Sequence, residues 1–280
     1  METKQSPPYT LTASGISDIG LVRENNEDIW AELPDDCFFI LADGMGGHQA
    51  GEKAARETVT TMCHLVREKI TPILATSSIE EIQKLLSRAI CYVNNYIFQM
   101  GRQDRELKGM GTTLCCVLFH EAGLIYAHVG DSRIYRFRDD KLVQLTKDHS
   151  LLCQLLDQGQ LDEKSAQNFT HKHIITKAIG TEPRVEPTVE SASLEEGDLY
   201  LLCSDGLTDL ITHDEIEATI KYALLPSDAA LKLVEAANIK GGNDNITVVM
   251  VKVENVNSSS YETTTAYETA TNRELADLSR

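Results

Sequence analysis

Five short runs of β-branched, aromatic, Leu and Cys residues, at 38–42, 114–119, 124–129, 199–203 and 246–253, constrain the fold more than any other feature. Each has the length and residue types of a buried strand. Ala55, Val59, Met62 and Val66 recur at helical spacing, and Ile79, Ile82, Leu86, Ile90, Val93 and Ile97 keep that period over a longer span. A third helix is predicted from a cap at Ser227 and Asp228 to the Gly241–Gly242 pair. Two long helices come early and strands cluster in the middle, without one-for-one alternation. That order predicts an α+β fold, sheets with helices packed outside, over a doubly wound parallel sheet.

Residues 1–9 read as a flexible lead-in and 10–254 as one domain. From 147 to 182 the chain turns polar with scattered Leu and Ile, which predicts a small helical excursion acting as a lid. Residues 255–280 are rich in Ser and Thr and poor in apolar residues. Such a segment cannot bury enough surface to offset its ordering entropy, so it reads as a disordered tail. A sharper alternative makes its threonines kinase targets or a docking segment.

The composition narrows the function classes. With 42% hydrophobic and 25% charged residues the chain is globular, and its net charge is −17. No basic stripe is visible, which argues against nucleic-acid binding through phosphates. Seven cysteines occur without a CxxC pair, mostly in apolar runs, and read as reduced core thiols. The first residues lack the apolar stretch of a signal peptide, and no run approaches the ~18 apolar residues of a membrane helix. A soluble cytoplasmic protein with no membrane partner is expected.

Four of the apolar runs carry an Asp at one end: Asp43, Asp131, Asp205 and Asp244. Rigid elements present functional groups at such ends. Any one of these Asp residues reads more readily as part of a turn. If the four converged, each pair about 4 Å apart would repel by about 4 kcal/mol at an effective dielectric of 20. That is a large share of a typical stability of about 5–15 kcal/mol. Divalent cations would reverse the sign, and oxygen-only ligands suit Mg²⁺ or Mn²⁺. A glycine after the Asp adds an accessible carbonyl.

Seven motifs then appear in order: "GLVRENNED" (20–28), "DGMGGHQAGEKAA" (43–55), "GMGTT" (109–113), "HVGDSRIYR" (128–136), "LTKDHS" (145–150), "CSDGLTD" (203–209) and "GGNDNITVV" (241–249). Together they resemble the metal-dependent protein phosphatases of the PPM (type 2C) family in its compact bacterial form, over about residues 10–254. The resemblance implies a central antiparallel β-sandwich flanked by helix pairs, a dinuclear metal site at one end and a flap at 147–182. It implies hydrolysis of phosphoserine and phosphothreonine in proteins, with two core Mn²⁺ or Mg²⁺ ions and room for a third.

Residue by residue, Asp43 matches the carboxylate that bridges two metals and Gly44 a ligand through its carbonyl. Asp205 and Asp244 match further ligands of the first metal. Glu27 and Asp28 match the acidic pair that holds the second largely through water. Asp131, with Asp205, matches a third, weaker site. Arg23 matches the arginine that binds the substrate phosphate. Family mechanism is attack on phosphorus by a water that two cations share.

One position departs from the pattern. Many eukaryotic relatives carry a His after the Asp-Gly, cast as the general acid; here it is Met45. The proton donor stays open between His48, water at the metals and no dedicated group. Ser132 and Arg133 are expected to support Asp131. His149, His171 and His173 read as exposed histidines. Adjacent Cys115 and Cys116 lack the setting of a nucleophilic thiolate.

Expected partners are phosphoproteins, among them a Ser/Thr kinase and its substrates, with the chain a monomer. The alternatives are a pseudophosphatase that binds phosphoproteins without turnover, and a phosphodiesterase or nuclease.

Overall fold

A computed structural model describes residues 9–46, 49–166, 169–171 and 174–254. The chain opens with β1 (Thr10–Asp18), β2 (Asp28–Leu33) and β3 (Phe38–Met45), followed by two long helices, α1 (Gln49–Leu65) and α2 (Ile79–Gln103). Next come β4 (Gly111–Thr112), β5 (Leu114–His120), β6 (Gly123–Val129), β7 (Arg133–Arg138) and β8 (Lys141–Gln144). The polar excursion holds two short helices, α3 (Leu151–Asp157) and α4 (Glu163–Ala166). The last part runs through β9 (Thr188–Ala192), β10 (Leu199–Cys203), α5 (Asp205–Thr208), α6 (His213–Lys221), α7 (Pro226–Ile239) and β11 (Ile246–Glu254).

Two antiparallel sheets result, ordered β1-β11-β10-β7-β8 and β2-β3-β5-β6-β9, with β4 paired to β3. The fold is therefore α+β, as the element order predicts. Side-chain alternation explains the layers. In β3, Phe39 and Leu41 enter the core between the sheets, while Phe38, Ile40 and Ala42 meet Val59 and Met62 of α1 and Leu86 and Ile90 of α2. In β11, Val249 and Val251 face the inner core and Val248 and Met250 face Leu233 of α7 and Ile216 of α6. Both faces of the inner strands are covered, so they read as unbroken apolar runs. Each fully buried Phe, Leu or Ile contributes about 1.5–3 kcal/mol. Edge-on rings close the inner core: Phe119 packs on Phe39 at 5.9 Å and on Tyr200 at 5.7 Å.

Helix ends follow local chemistry. Ser78 and Glu81 form a reciprocal capping box that starts α2. The expected cap at Ser227 and Asp228 is not there. Pro226 already occupies the first turn of α7 after Leu225, where its missing N–H costs nothing. Asp228 instead accepts from Lys232 one turn on.

Candidate metal centre

The strand ends meet at one end of the sandwich, in a cleft of about 280 Å³. From the sheet that contains β3 come Glu27, Asp43 and Gly44, from the other come Asp205 and Asp244, and from the β6–β7 link between the sheets comes Asp131, with Arg23 at the mouth. Asp28 lies directly opposite Asp43 in the β2–β3 register. It is buried and does not line the cleft. His48 and His173 fall outside the described residues.

Asp43, Asp28 and Glu27 are held by uncharged neighbours. Asp43 N donates to Thr113 Oγ1 at 2.9 Å, and Asp43 O accepts from Thr113 N and Thr112 Oγ1, both at 2.8 Å. Thr113 Oγ1 also meets Ser132 Oγ at 2.7 Å, which joins the Asp43 and Asp131 turns. Ser204 Oγ donates to Asp28 Oδ2 at 2.7 Å and accepts from Thr247 N at 3.0 Å. Asn245 accepts from Glu27 N at 2.8 Å and donates to Ile19 O and Asn25 O, at 3.0 and 2.9 Å. That one buried amide shapes the whole 19–27 loop and so places Arg23. Arg133 supports Asp131 only at a distance, because its guanidinium forks onto Asp148 at 2.7–3.1 Å.

Glycine is required at two contacts. Gly44 and Gly51 press together, and a Cβ on Gly44 would come within 2.3 Å of Gly51 O. Gly130 turns the chain into Asp131 at φ +105°, the left-handed side, with Thr113 Cγ2 only 2.7 Å from where a Cβ would stand.

The electrostatics are those of like charges confined together. Burial, then the carboxylates of Asp28, Asp205, Asp131 and Asp244, raises Asp43 well above the usual range. Burial and Asp205 push Asp131 up to about 7. Burial likewise takes Asp28 up to about 7, against the lowering bonds from Ser204 and Thr247. Arg23 Nη2 pairs with Asp244 Oδ2 at 2.6 Å, and this hydrogen bond raises the guanidinium's affinity for its proton.

The donor set fits hard divalent cations. It is oxygen-only and self-repelling, and among the described residues the buried Asp28 Oδ1 has no hydrogen-bond partner. Among the described residues no three carboxylate, imidazole or thiol groups are already grouped closely enough to hold one ion. The acidic residues line one cleft without closing on a single point.

The residues that sequence reasoning passed over are Thr112, Thr113, Ser204 and Asn245. Each stands inside a motif, beside an Asp or Gly. An uncharged polar residue there signals only a turn until its partner, distant in sequence, is known.

Comparison with known proteins gives the same picture. The family model for protein phosphatase 2C matches residues 22–234. The protein phosphatase PhpP of Streptococcus pneumoniae is 39% identical over 246 residues, covering 87% of this chain and 98% of its own. The Streptococcus agalactiae serine/threonine phosphatase superposes with a TM-score of 0.80 at 38% identity, over 87% of this chain and 100% of that one. The catalytic domain of the phosphatase PstP in complex with two manganese ions does so with a TM-score of 0.75 at 36% identity, over 88% and 99%. With a match of this extent, carried by acidic strand ends that share one cleft, the chain belongs to the protein phosphatase 2C family.

Proposed function

We propose that the protein hydrolyses phosphoserine and phosphothreonine in other proteins, with Mn²⁺ or Mg²⁺ as cofactor. One observation carries this reading: five acidic residues, drawn from both sheets, line a cleft with a single guanidinium at its mouth. Asp43, Gly44, Asp205 and Asp244 are the residues that would hold two core ions. Glu27 and Asp28 would support the second, and Asp131 with Asp205 a third. When bound, such ions acidify water and neutralise charge on phosphoryl oxygens.

The chain's own groups supply the rest. Arg23 offers paired donors to the phosphoryl oxygens in a planar fork. Thr112 and Thr113 hold both backbone groups of Asp43, so its carboxylate is set before substrate arrives. The Cys203 thiol, pushed up to about 12 by burial, stays protonated, and burial raises Cys115 too. Neither is a nucleophile, and attack falls to water without a covalent phosphoenzyme. Met45 lines the cleft and has no proton to give; water there is proposed as the leaving group's proton donor, with His48 the alternative.

The names of the relatives leave the non-enzymatic alternative without support. The reading is completed by a cytoplasmic monomer that opposes a Ser/Thr kinase of the same cell. Seven free thiols suit a reducing compartment, and no helix among the described residues is long and apolar enough to cross a membrane. The test is turnover of phosphoserine, phosphothreonine and phosphotyrosine peptides with EDTA, then with added Mn²⁺. Turnover of the first two that EDTA abolishes and Mn²⁺ restores is expected. Turnover in EDTA, or turnover only of a phosphodiester such as bis-p-nitrophenyl phosphate, refutes the reading.

A further inference from the structure

His149 is not the exposed histidine that its polar surroundings predict. Its ring stacks on His128, with centroids 4.4 Å apart and planes inclined by 15°. Beneath it His128 is buried, its Nε2 2.8 Å from Lys147 O. His149 Nδ1 accepts from Gly130 N at 3.2 Å, and His149 N donates to Gly130 O at 2.9 Å. An amide can only donate, so Nδ1 carries its lone pair and the ring proton sits on Nε2. There it faces Thr188 Oγ1 at 3.0 Å.

The same residue also reaches a segment that lines the cleft. His149 O accepts from Thr176 N at 2.7 Å, and the next residue, Ser150, bridges to Ile175. Ile175 lines the cleft together with the acidic residues. His149 therefore grips, at once, both sides of Gly130, its ring taking the N–H of the Val129–Gly130 peptide and its backbone N–H the carbonyl of the Gly130–Asp131 peptide, and the returning segment of the 147–182 excursion. Gly130 has no side chain to steady its backbone, and at φ +105° with Thr113 in the way it cannot carry one. The orientation of its peptide has to be fixed from outside.

We infer that His149 is a positioning residue: its Nδ1 lone pair fixes the Val129–Gly130 peptide at the start of the Gly130 turn and so the direction in which Asp131 leaves it, and its backbone sets the cleft wall at Ile175. The inference rests on the phosphatase reading. Burial, with His128 and Lys177 nearby, lowers the ring's proton affinity to about 3, so the acceptor form persists across the working pH range.

Asn and Gln separate the two ring nitrogens, since the Asn carbonyl can take the place of Nδ1 and the Gln amide the place of Nε2. H149A, H149N, H149Q and T188V are compared with wild type for kcat and KM on a phosphothreonine peptide with Mn²⁺, and for thermal unfolding. A small displacement of an active-site group costs up to about 100-fold. H149A and H149Q are accordingly expected to lose about tenfold or more in kcat with KM little changed. H149N and T188V should stay within about threefold of wild type. A residue that merely packs would lower the melting temperature in all three His149 variants while folded protein kept its kcat, and that result overturns the inference. So does an H149N variant as slow as H149A. An inactive wild type refutes the phosphatase reading and this inference with it, whereas an active wild type matched by H149A refutes the inference alone.

Discussion

Arg23 and Asp244, 221 residues apart in sequence, meet at 2.6 Å across the mouth of the cleft. Both side chains are substantially exposed, so the pair adds at most about 1 kcal/mol to stability. Its interest is positional. A guanidinium suited to a phosphate rests on a carboxylate suited to a cation, and each ligand would release the other's partner.

R23Q is therefore expected to change two quantities in opposite directions. Losing the phosphate fork removes charge-assisted bonds of about 1.5–3 kcal/mol, or roughly 10- to 150-fold in kcat/KM. Losing the competitor for Asp244 should tighten Mn²⁺ binding. Steady-state kinetics on a phosphopeptide and calorimetric Mn²⁺ titration measure the two. Unchanged kcat/KM would remove Arg23 from the phosphate site.

D43N and D205N each take away a carboxylate that no neighbour replaces. The expected loss in kcat is about 10³-fold or more, because ion-assisted activation of water supplies most of the rate. Activity within tenfold of wild type at saturating Mn²⁺ would contradict the site.

N245A strips the partners from Glu27 N, Ile19 O and Asn25 O together. Each polar group left unpaired costs about 1–3 kcal/mol, discounted where water can reach it. A loss of about 2–4 kcal/mol in urea unfolding is expected, with a lower kcat/KM because the Arg23 loop loosens. If stability holds within 0.5 kcal/mol, to give an approximate threshold, the loop is anchored elsewhere.

The stacked histidines give a pH dependence with a definite sign. Burial holds His149 at about 3 and lowers His128, against about 6.5 for an unfolded histidine. Between those values the unfolded chain binds more protons, so stability rises with pH in that window. The contribution is complete above about pH 6.5 and is lost progressively as pH falls toward 3. Melting temperatures of the Mn²⁺-loaded protein from pH 7.5 down to 4.5 should fall less steeply in H149N than in wild type. Parallel curves would mean that the ring is not buried as described.

The elements legible in the sequence are those covered on both faces. The five apolar runs are β3, β5, β6, β10 and β11, all inner strands of the two sheets. The strands that escaped, β1, β2, β8 and β9, are the four sheet edges, where half-exposed sequences such as TLTASGISD carry no clear period. Inner strand β7 escaped for a different reason: in RIYRFR, Arg133 and Arg138, which pair with Asp148 and Asp198, occupy both ends and Arg136 interrupts the apolar residues between them. The acidic residues were legible because charge at the end of an apolar run is conspicuous. Thr113, Ser204 and Asn245 were not, because their meaning lies in partners up to 226 residues away.

Asp43 hangs from one sheet, Asp205 and Asp244 from the other, and Asp131 sits in the β6–β7 link between them. Ions shared between Asp43 and the Asp205–Asp244 pair would act as a rivet through the two leaves of the sandwich. Peeling the leaves apart would then require ejecting it, which makes occupancy of the pocket a brake on the speed of unfolding as well as a condition for turnover.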